Sequence, residues 1–319
     1  MSADDGVGLG YWTRWPVLAS GAIVLALPAA ATAVLLRRRS AEDARLRPSD
    51  LWTSCWRCVS PPWLLAYRAL VVVVMSSLLV KEVLADGIFS FFFYTQWTFT
   101  LVIIYFVIAT LISAHGCWIY SKQEVIGKEE ANGLLKHDIE DNGPGTLTLK
   151  TNNEKARLQS ENDQEVNEKR AGTLGYVMQI TYQTCGGAVM LTDIVFWCLL
   201  VPTSADHFSV NLIAACMHSL NAVFLLLDTA LNNLPFPLFR MIYFVFWTFI
   251  YVIFQWVLHA CGFTWWPYPF MELATPWAPM WYIAVALAHI PCYGSYWLIA
   301  KAKKTFSPKF FPDAYTSSY

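Results

Sequence analysis

Charge is what this chain has least of. Only 14% of its 319 residues are Asp, Glu, Lys or Arg, against about 25% in a soluble domain. That deficit excludes an ordinary water-soluble fold for most of the length. The charges balance to a formal −1, so no nucleic-acid partner is expected. The usual catalytic signatures are missing too. There is no Gly-x-Ser-x-Gly elbow, no His-Glu-x-x-His and no Walker loop. Six scattered histidines supply no paired clusters of the membrane di-iron type, and no metal or cofactor is expected. No Asn-x-Ser/Thr sequon is present, so glycosylation offers no check on sidedness. Eight cysteines lie mostly in apolar runs or on a reducing face, which excludes a disulfide framework.

What fills the chain instead is hydrocarbon. Hydrophobic residues make up 56%, with 15 Trp, 15 Tyr and 20 Phe. They cluster into runs long enough to cross a bilayer, which takes roughly 20 residues as helix. Seven spans are expected, at 16–36, 64–80, 95–114, 184–203, 210–230, 236–258 and 278–300. The runs lack the period-2 alternation of barrel strands and extend past their length, which excludes a β-barrel. The fold class is therefore all-α: a polytopic transmembrane helix bundle, a six-helix core with an extra N-terminal span. The first run carries Pro28 and ends in Arg37-Arg-Arg39, the flank of an anchor and not of a cleavage site.

With the N-terminus outside, the cytoplasmic side receives all 22 lysines and arginines except Arg14, Arg68 and Lys81. That distribution predicts an N-out, C-in integral membrane protein; the membrane, endoplasmic reticulum or plasma membrane, is left open. The organisation expected is an N-terminal span and basic loop (1–63), spans two and three (64–120), a polar insertion (121–172), spans four to seven (173–304) and a cytoplasmic tail (305–319). The insertion is too poor in apolar residues to bury a core, so a largely disordered loop is expected, with room for short helical pieces at its ends. Its mildly acidic balance argues against a lipid-binding polybasic segment.

The first loop holds Trp52, Cys55, Trp56 and Cys58 before Pro61 and Pro62. Cys-x-x-Cys signals zinc or redox chemistry only with a second ligand pair or a thioredoxin-like context, and neither is present. Interfacial anchoring by the tryptophans or acylation of the cysteines fits better.

Polar residues within the runs carry the only chemistry in view, because a polar group in lipid needs an internal partner or a function. Thr98 lies near the head of the third span and His218 inside the fifth. Under the proposed topology both sit roughly 5–12 Å from the outer ends of their helices, at about 1.5 Å per residue, so they can meet. Asn221 and Asn211 share a face with His218, and Asp228 follows on a nearby stripe. Asp193 falls in span four, His259 ends span six, and His289 lies in span seven. A neutral imidazole is the usual base for a threonine nucleophile, with Asn or Asp groups to orient the ring or hold an oxyanion. The competing account is helix packing, in which span threonines bond their own i−4 carbonyl and histidines bridge helices.

Four segments resemble the androgen-induced protein and rolling-stone family, especially its plant members. They are Phe93-Tyr-Thr-Gln-Trp-Thr-Phe99, Cys216-Met-His-Ser219, Leu234-Pro-Phe236 and His259-Ala-Cys-Gly-Phe-Thr-Trp-Trp-Pro-Tyr-Pro-Phe270. With the order of helices, the likeness covers roughly residues 64–300. It implies a membrane threonine hydrolase that cleaves fatty-acid esters of hydroxy fatty acids, as some animal members do. Carried over, the nucleophile is Thr98, before Phe99, and the base is His218, after Met217. Thr95 and Thr100 flank Thr98 and offer other hydroxyls. The animal hydrolases carry a second His just upstream, where this chain has Ala214, Ala215 and Cys216. The rolling-stone branch implies a different role, in membrane organisation or cell fusion without catalysis. The expected sites are thus Thr98 and His218, supported by Asn221, Asn211 and His259. The expected partners are membrane lipids, with a lipid ester as substrate.

Overall fold

In a bilayer the backbone must satisfy its own polar groups, and helices do so within one segment. The computed structural model describes residues 8–38, 46–140, 171–203 and 212–316. Among them are seven helices long and apolar enough to span a membrane. We label these α1 (Trp15–Arg38), α2 (Pro61–Asp86), α3 (Tyr94–Glu140), α4 (Thr173–Val195), α5 (Leu212–Leu231), α6 (Met241–Ala260) and α7 (Ala278–Phe310). The protein is an all-α, multi-pass membrane bundle. Its upper end carries residues 87–93 and 261–277; its lower end carries residues 46–60, 232–237 and the C-terminal segment.

Helix α4 is the axis of the bundle, packing against α3, α5, α6 and α7. It begins at Thr173, eleven residues before the expected start of its apolar run. The early turns are polar, and the bundle accommodates them by pairing. Arg240 Nη1 donates to Gln179 Oε1 at 2.5 Å, and Gln183 Nε2 donates to the Pro235 carbonyl at 2.7 Å. These glutamines face protein, so hydropathy alone misplaces the boundary. Gly186 and Gly187 let α4 approach its neighbours closely. A Cβ on Gly187 would lie 2.5 Å from the Phe244 ring, the small-residue packing expected where no aqueous driving force pulls helices together.

Helix α1 is unbroken by Pro28 and packs on α6 and α7. Helix α2 starts at Pro61 and stops at Gly87, whose φ of 71° is costly for residues with a Cβ. Helix α3 continues as helix through Glu140, well into the segment expected to be disordered. Residues 141–170, where the rest of that expectation falls, lie outside the described residues. Helix α7 runs to Phe310, past the expected end at 300. There Lys303 Nζ donates to the carbonyls of Thr229 and Asn232, both at 2.7 Å, capping the lower end of α5.

The Trp/Cys segment closes the lower end. Cys55 N–H donates to the Leu231 carbonyl at 2.9 Å, and Thr316 N–H donates to the Cys55 carbonyl at 2.8 Å. Trp56 packs edge-on against Phe311 and Tyr315. The segment is thus anchored to protein, to the lower end of α5 and to the C-terminal segment. Among the described residues no group of three or more His, Cys, Asp or Glu could hold a metal ion.

Above it lies a fully buried ion pair. Arg68 Nε donates to Asp228 Oδ1 at 2.9 Å, with both side chains inaccessible to solvent. Arg68 Nη1 reaches the Leu51 carbonyl at 2.9 Å and Ser113 Oγ at 2.7 Å. Tyr105 and Asn232 complete the Asp228 carboxylate. Burying a charge is costly unless it is paired and hydrogen-bonded, and this pair is both. It ties the first loop to α2, α3 and α5.

Candidate functional site

The upper half of the bundle brings together the first turn of α3, the upper part of α4 and the second turn of α5. Thr95 is the second residue of α3, above the point where a threonine hydroxyl could reach a helical i−4 carbonyl. The hydroxyls of Thr110, Thr181, Thr184, Thr192 and Thr229 do bond their own i−4 carbonyls. The Thr95 hydroxyl instead lies 3.3 Å from His218 Nε2.

The other ring nitrogen, Nδ1, lies 3.5 Å from Asp193 Oδ1. That is long for a hydrogen bond and within ion-pair reach; catalytic contacts commonly tighten when substrate binds. Asn221 Nδ2 donates to the same carboxylate oxygen at 3.3 Å. An imidazole protonated at Nδ1, facing the carboxylate, leaves Nε2 to accept the threonine proton. Phe196 stacks on the His218 ring, with centroids 3.7 Å apart and planes 7° from parallel. Phe196 opens the π-helical turn Phe196–Leu200 that continues α4, the kind of local distortion that recurs at functional sites. The imidazole is thereby held on its face and faced at both nitrogens.

Thr98 is one turn deeper and completely buried. Its hydroxyl lies 3.3 Å from that of Thr192. So the hydroxyl hydrogen-bonded to His218 is that of Thr95, with Thr98 behind it. Asn221 is buried and touches Asp193 instead of the imidazole. Asn211 lies outside the described residues. His259 sits elsewhere at the upper end: it is stacked on Trp266, with Nδ1 2.9 Å from the Phe263 carbonyl and a ring contact to Tyr11.

Tyr268, from the segment after α6, completes the group. Its hydroxyl accepts the Tyr94 N–H at 3.1 Å and interacts with the Thr95 hydroxyl. Burial pushes its phenol up to about 12, so it stays protonated and able to donate. Two further polar groups follow: Tyr94 Oη is 2.9 Å from Thr248 Oγ1, which is 2.9 Å from His289 Nε2.

Thr95, His218, Tyr268 and His289 open on one cavity of about 270 Å³. Apart from Thr192 and Thr248 the rest of its wall is aliphatic and aromatic, and includes Ile23, Leu27, Leu199 and Val252. A polar catalytic-type cluster at the edge of an apolar cavity within the membrane suits a hydrocarbon chain with one reactive polar group.

The sequence singled out His218 and named Thr95 as an alternative hydroxyl. It located Asp193 but did not pair it with His218. It passed over Tyr268, although Tyr268 lies in one of the four family-like segments. Comparison with family models, with curated proteins and with solved structures finds no match.

Proposed function

We propose that this membrane protein hydrolyses lipid esters, with Thr95 as nucleophile, His218 as base and Asp193 as the group that orients the ring. The observation that carries the reading is the run of contacts Thr95 to His218 to Asp193 beside an apolar cavity. In the first step Thr95 Oγ attacks the ester carbonyl while its proton passes to His218 Nε2. The imidazolium then gives that proton to the leaving alcohol, and Asp193 stabilises the charged ring between the two transfers. Water activated by the same imidazole cleaves the acyl-threonine, releasing the acid and restoring the hydroxyl. The protonated Tyr268 hydroxyl and the positive end of the α3 dipole are the groups placed to stabilise the oxyanion.

Three of the four segments that resemble the androgen-induced protein and rolling-stone family supply Thr95, His218 and Tyr268 to this site, while Leu234-Pro-Phe236 lies at the lower end; the three support assigning the chain to that family. The substrate class follows from the resemblance: fatty-acid esters of hydroxy fatty acids. Thr98, the position implied by the resemblance, is one turn from Thr95. The distribution of lysine and arginine supports an orientation with the upper end outside and the lower end cytoplasmic. The site then faces the outer leaflet, where a lipid enters sideways between helices.

The test is covalent labelling of detergent-purified protein with a fluorophosphonate. Labelling that disappears in His218→Ala and in one threonine variant of α3 is the expected result. Absence of labelling in a monodisperse preparation, or equal labelling of His218→Ala, overturns the proposal.

A further inference from the structure

A second cavity, of about 400 Å³, opens at the upper end beyond α2. Its polar side chains are two carboxylates, Glu82 and Asp86, four residues apart on the last turns of α2, and Ser90, whose hydroxyl donates to the Gly87 carbonyl at 3.0 Å. Its walls are aromatic. Phe89 and Phe92 stack with centroids 5.6 Å apart; Phe92 meets Phe263 at 5.5 Å, and Phe93 meets Trp265 edge-on at 5.7 Å. Phe89, Phe263 and Trp265 are 63%, 47% and 58% exposed. Aromatic residues at a membrane end commonly form an interfacial belt, but a belt does not explain the carboxylates it would enclose here.

Glu82 is the decisive residue. It is only 8% exposed, and among the described residues its buried Oε2 atom has no hydrogen-bond partner. Its other oxygen has one long contact, from Gln96 Nε2 at 3.4 Å. An unpartnered buried carboxylate oxygen is costly, and a cation in the adjoining cavity would offset that cost. The walls decide which cation. Calcium takes six to eight oxygen ligands, and the side chains of this cavity supply two carboxylates and one hydroxyl among rings. A primary ammonium brings three N–H donors that each need an acceptor. A quaternary ammonium needs none, and aromatic faces with nearby negative charge are what recognise it.

We propose that this cavity binds a trimethylammonium group, presented by the headgroup of a choline lipid, with Glu82 and Asp86 supplying charge and Phe92, Phe263 and Trp265 supplying ring faces. The proposal stands independently of the threonine chemistry. Gln96, which touches Glu82, directly follows Thr95, so the headgroup site adjoins the candidate hydrolytic site.

The experiment is saturation-transfer NMR on full-length protein in maltoside micelles, observing the N-methyl protons of dihexanoylphosphatidylcholine. Tetramethylammonium chloride serves as competitor. The expected result is saturation of the N-methyl signal, displaced by tetramethylammonium. Trp265→Leu or Phe263→Leu is expected to weaken binding about fivefold, the size of one cation–π contact, and Glu82→Gln by at least as much. Both aromatic positions are exposed, so these variants carry the test even if Glu82→Gln fails to fold. Unchanged saturation in the aromatic variants overturns the site. Equal competition by the matching ethanolamine or glycerol lipids overturns the trimethylammonium selectivity. Free choline chloride binding as tightly as the lipid overturns the lipid as source.

Discussion

His218 Nε2 lies 3.3 Å from the Thr95 hydroxyl, and His218 Nδ1 lies 3.5 Å from the Asp193 carboxylate. One imidazole therefore stands between a hydroxyl and an acid supplied by two other helices. A carboxylate facing Nδ1, with a hydroxyl at Nε2, is the arrangement a general base needs once the Nδ1 contact tightens on substrate binding.

Asp193→Asn keeps the shape of this arrangement and removes its charge. The amide can still accept from Nδ1–H, or donate to Nδ1 and so favour the wrong tautomer. The expected outcome is a fall in the fluorophosphonate labelling rate on the order of 100-fold, the usual scale of general-base assistance, with the thermal midpoint nearly unchanged. A variant labelled at the wild-type rate would remove Asp193 from the mechanism. Following the labelling rate across pH for both proteins separates loss of orientation from loss of fold.

The Arg68–Asp228 pair makes a different prediction, about stability. Asp228→Asn leaves the Arg68 charge buried without its counter-ion, which costs about 3–5 kcal/mol. Thermal unfolding in detergent is expected to drop sharply. The double variant Arg68→Met with Asp228→Leu removes both charges and is expected to recover much of the loss. A double variant that is as unstable as the sum of its single changes would contradict this account of the pair.

The two loop cysteines are expected to behave differently. Cys55 is buried, its thiol donating to the Ala230 carbonyl at 3.2 Å, whereas Cys58 is exposed. Burial raises the Cys55 pKa above its ordinary value. Only the thiolate is nucleophilic, so at neutral pH Cys55 holds less of the reactive form and is shielded as well. Iodoacetamide followed by peptide mass spectrometry is expected to modify Cys58 at least tenfold faster, with Cys55 gaining only as pH rises. The same contrast makes Cys58 the acceptor if this loop is acylated. Equal modification of both at neutral pH would contradict the buried placement.

Much of this architecture was legible from hydropathy, because membrane helices need long apolar runs and this chain has seven. The errors fall where side chains pair with protein instead of facing lipid. Gln179 and Gln183 look too polar for a span until Arg240 and the Pro235 carbonyl are placed against them. Lys303 extends α7 because it caps α5, a contact no local pattern announces. At the site, His218 stood out as a histidine inside hydrocarbon. The choice between Thr95 and Thr98 depends on which way the first turn of α3 faces α5, and spacing along one helix does not contain that information. Asp193 was visible as a buried acid, yet its pairing with His218 joins residues 25 positions apart through tertiary structure. Tyr268 carries no distinguishing signal beyond its place in an aromatic-proline segment.

The central claim is that His218 activates a threonine at the head of α3, and that this threonine is Thr95. Locating the fluorophosphonate adduct by peptide mass spectrometry tests it directly, with His218→Ala, Thr95→Ala and Thr98→Ala prepared in parallel. The predicted result is an adduct on Thr95 that vanishes in His218→Ala and in Thr95→Ala and persists, at reduced rate, in Thr98→Ala. An adduct on Thr98 in the wild type would contradict the assignment of Thr95, and an adduct that survives in His218→Ala would contradict the role of the histidine.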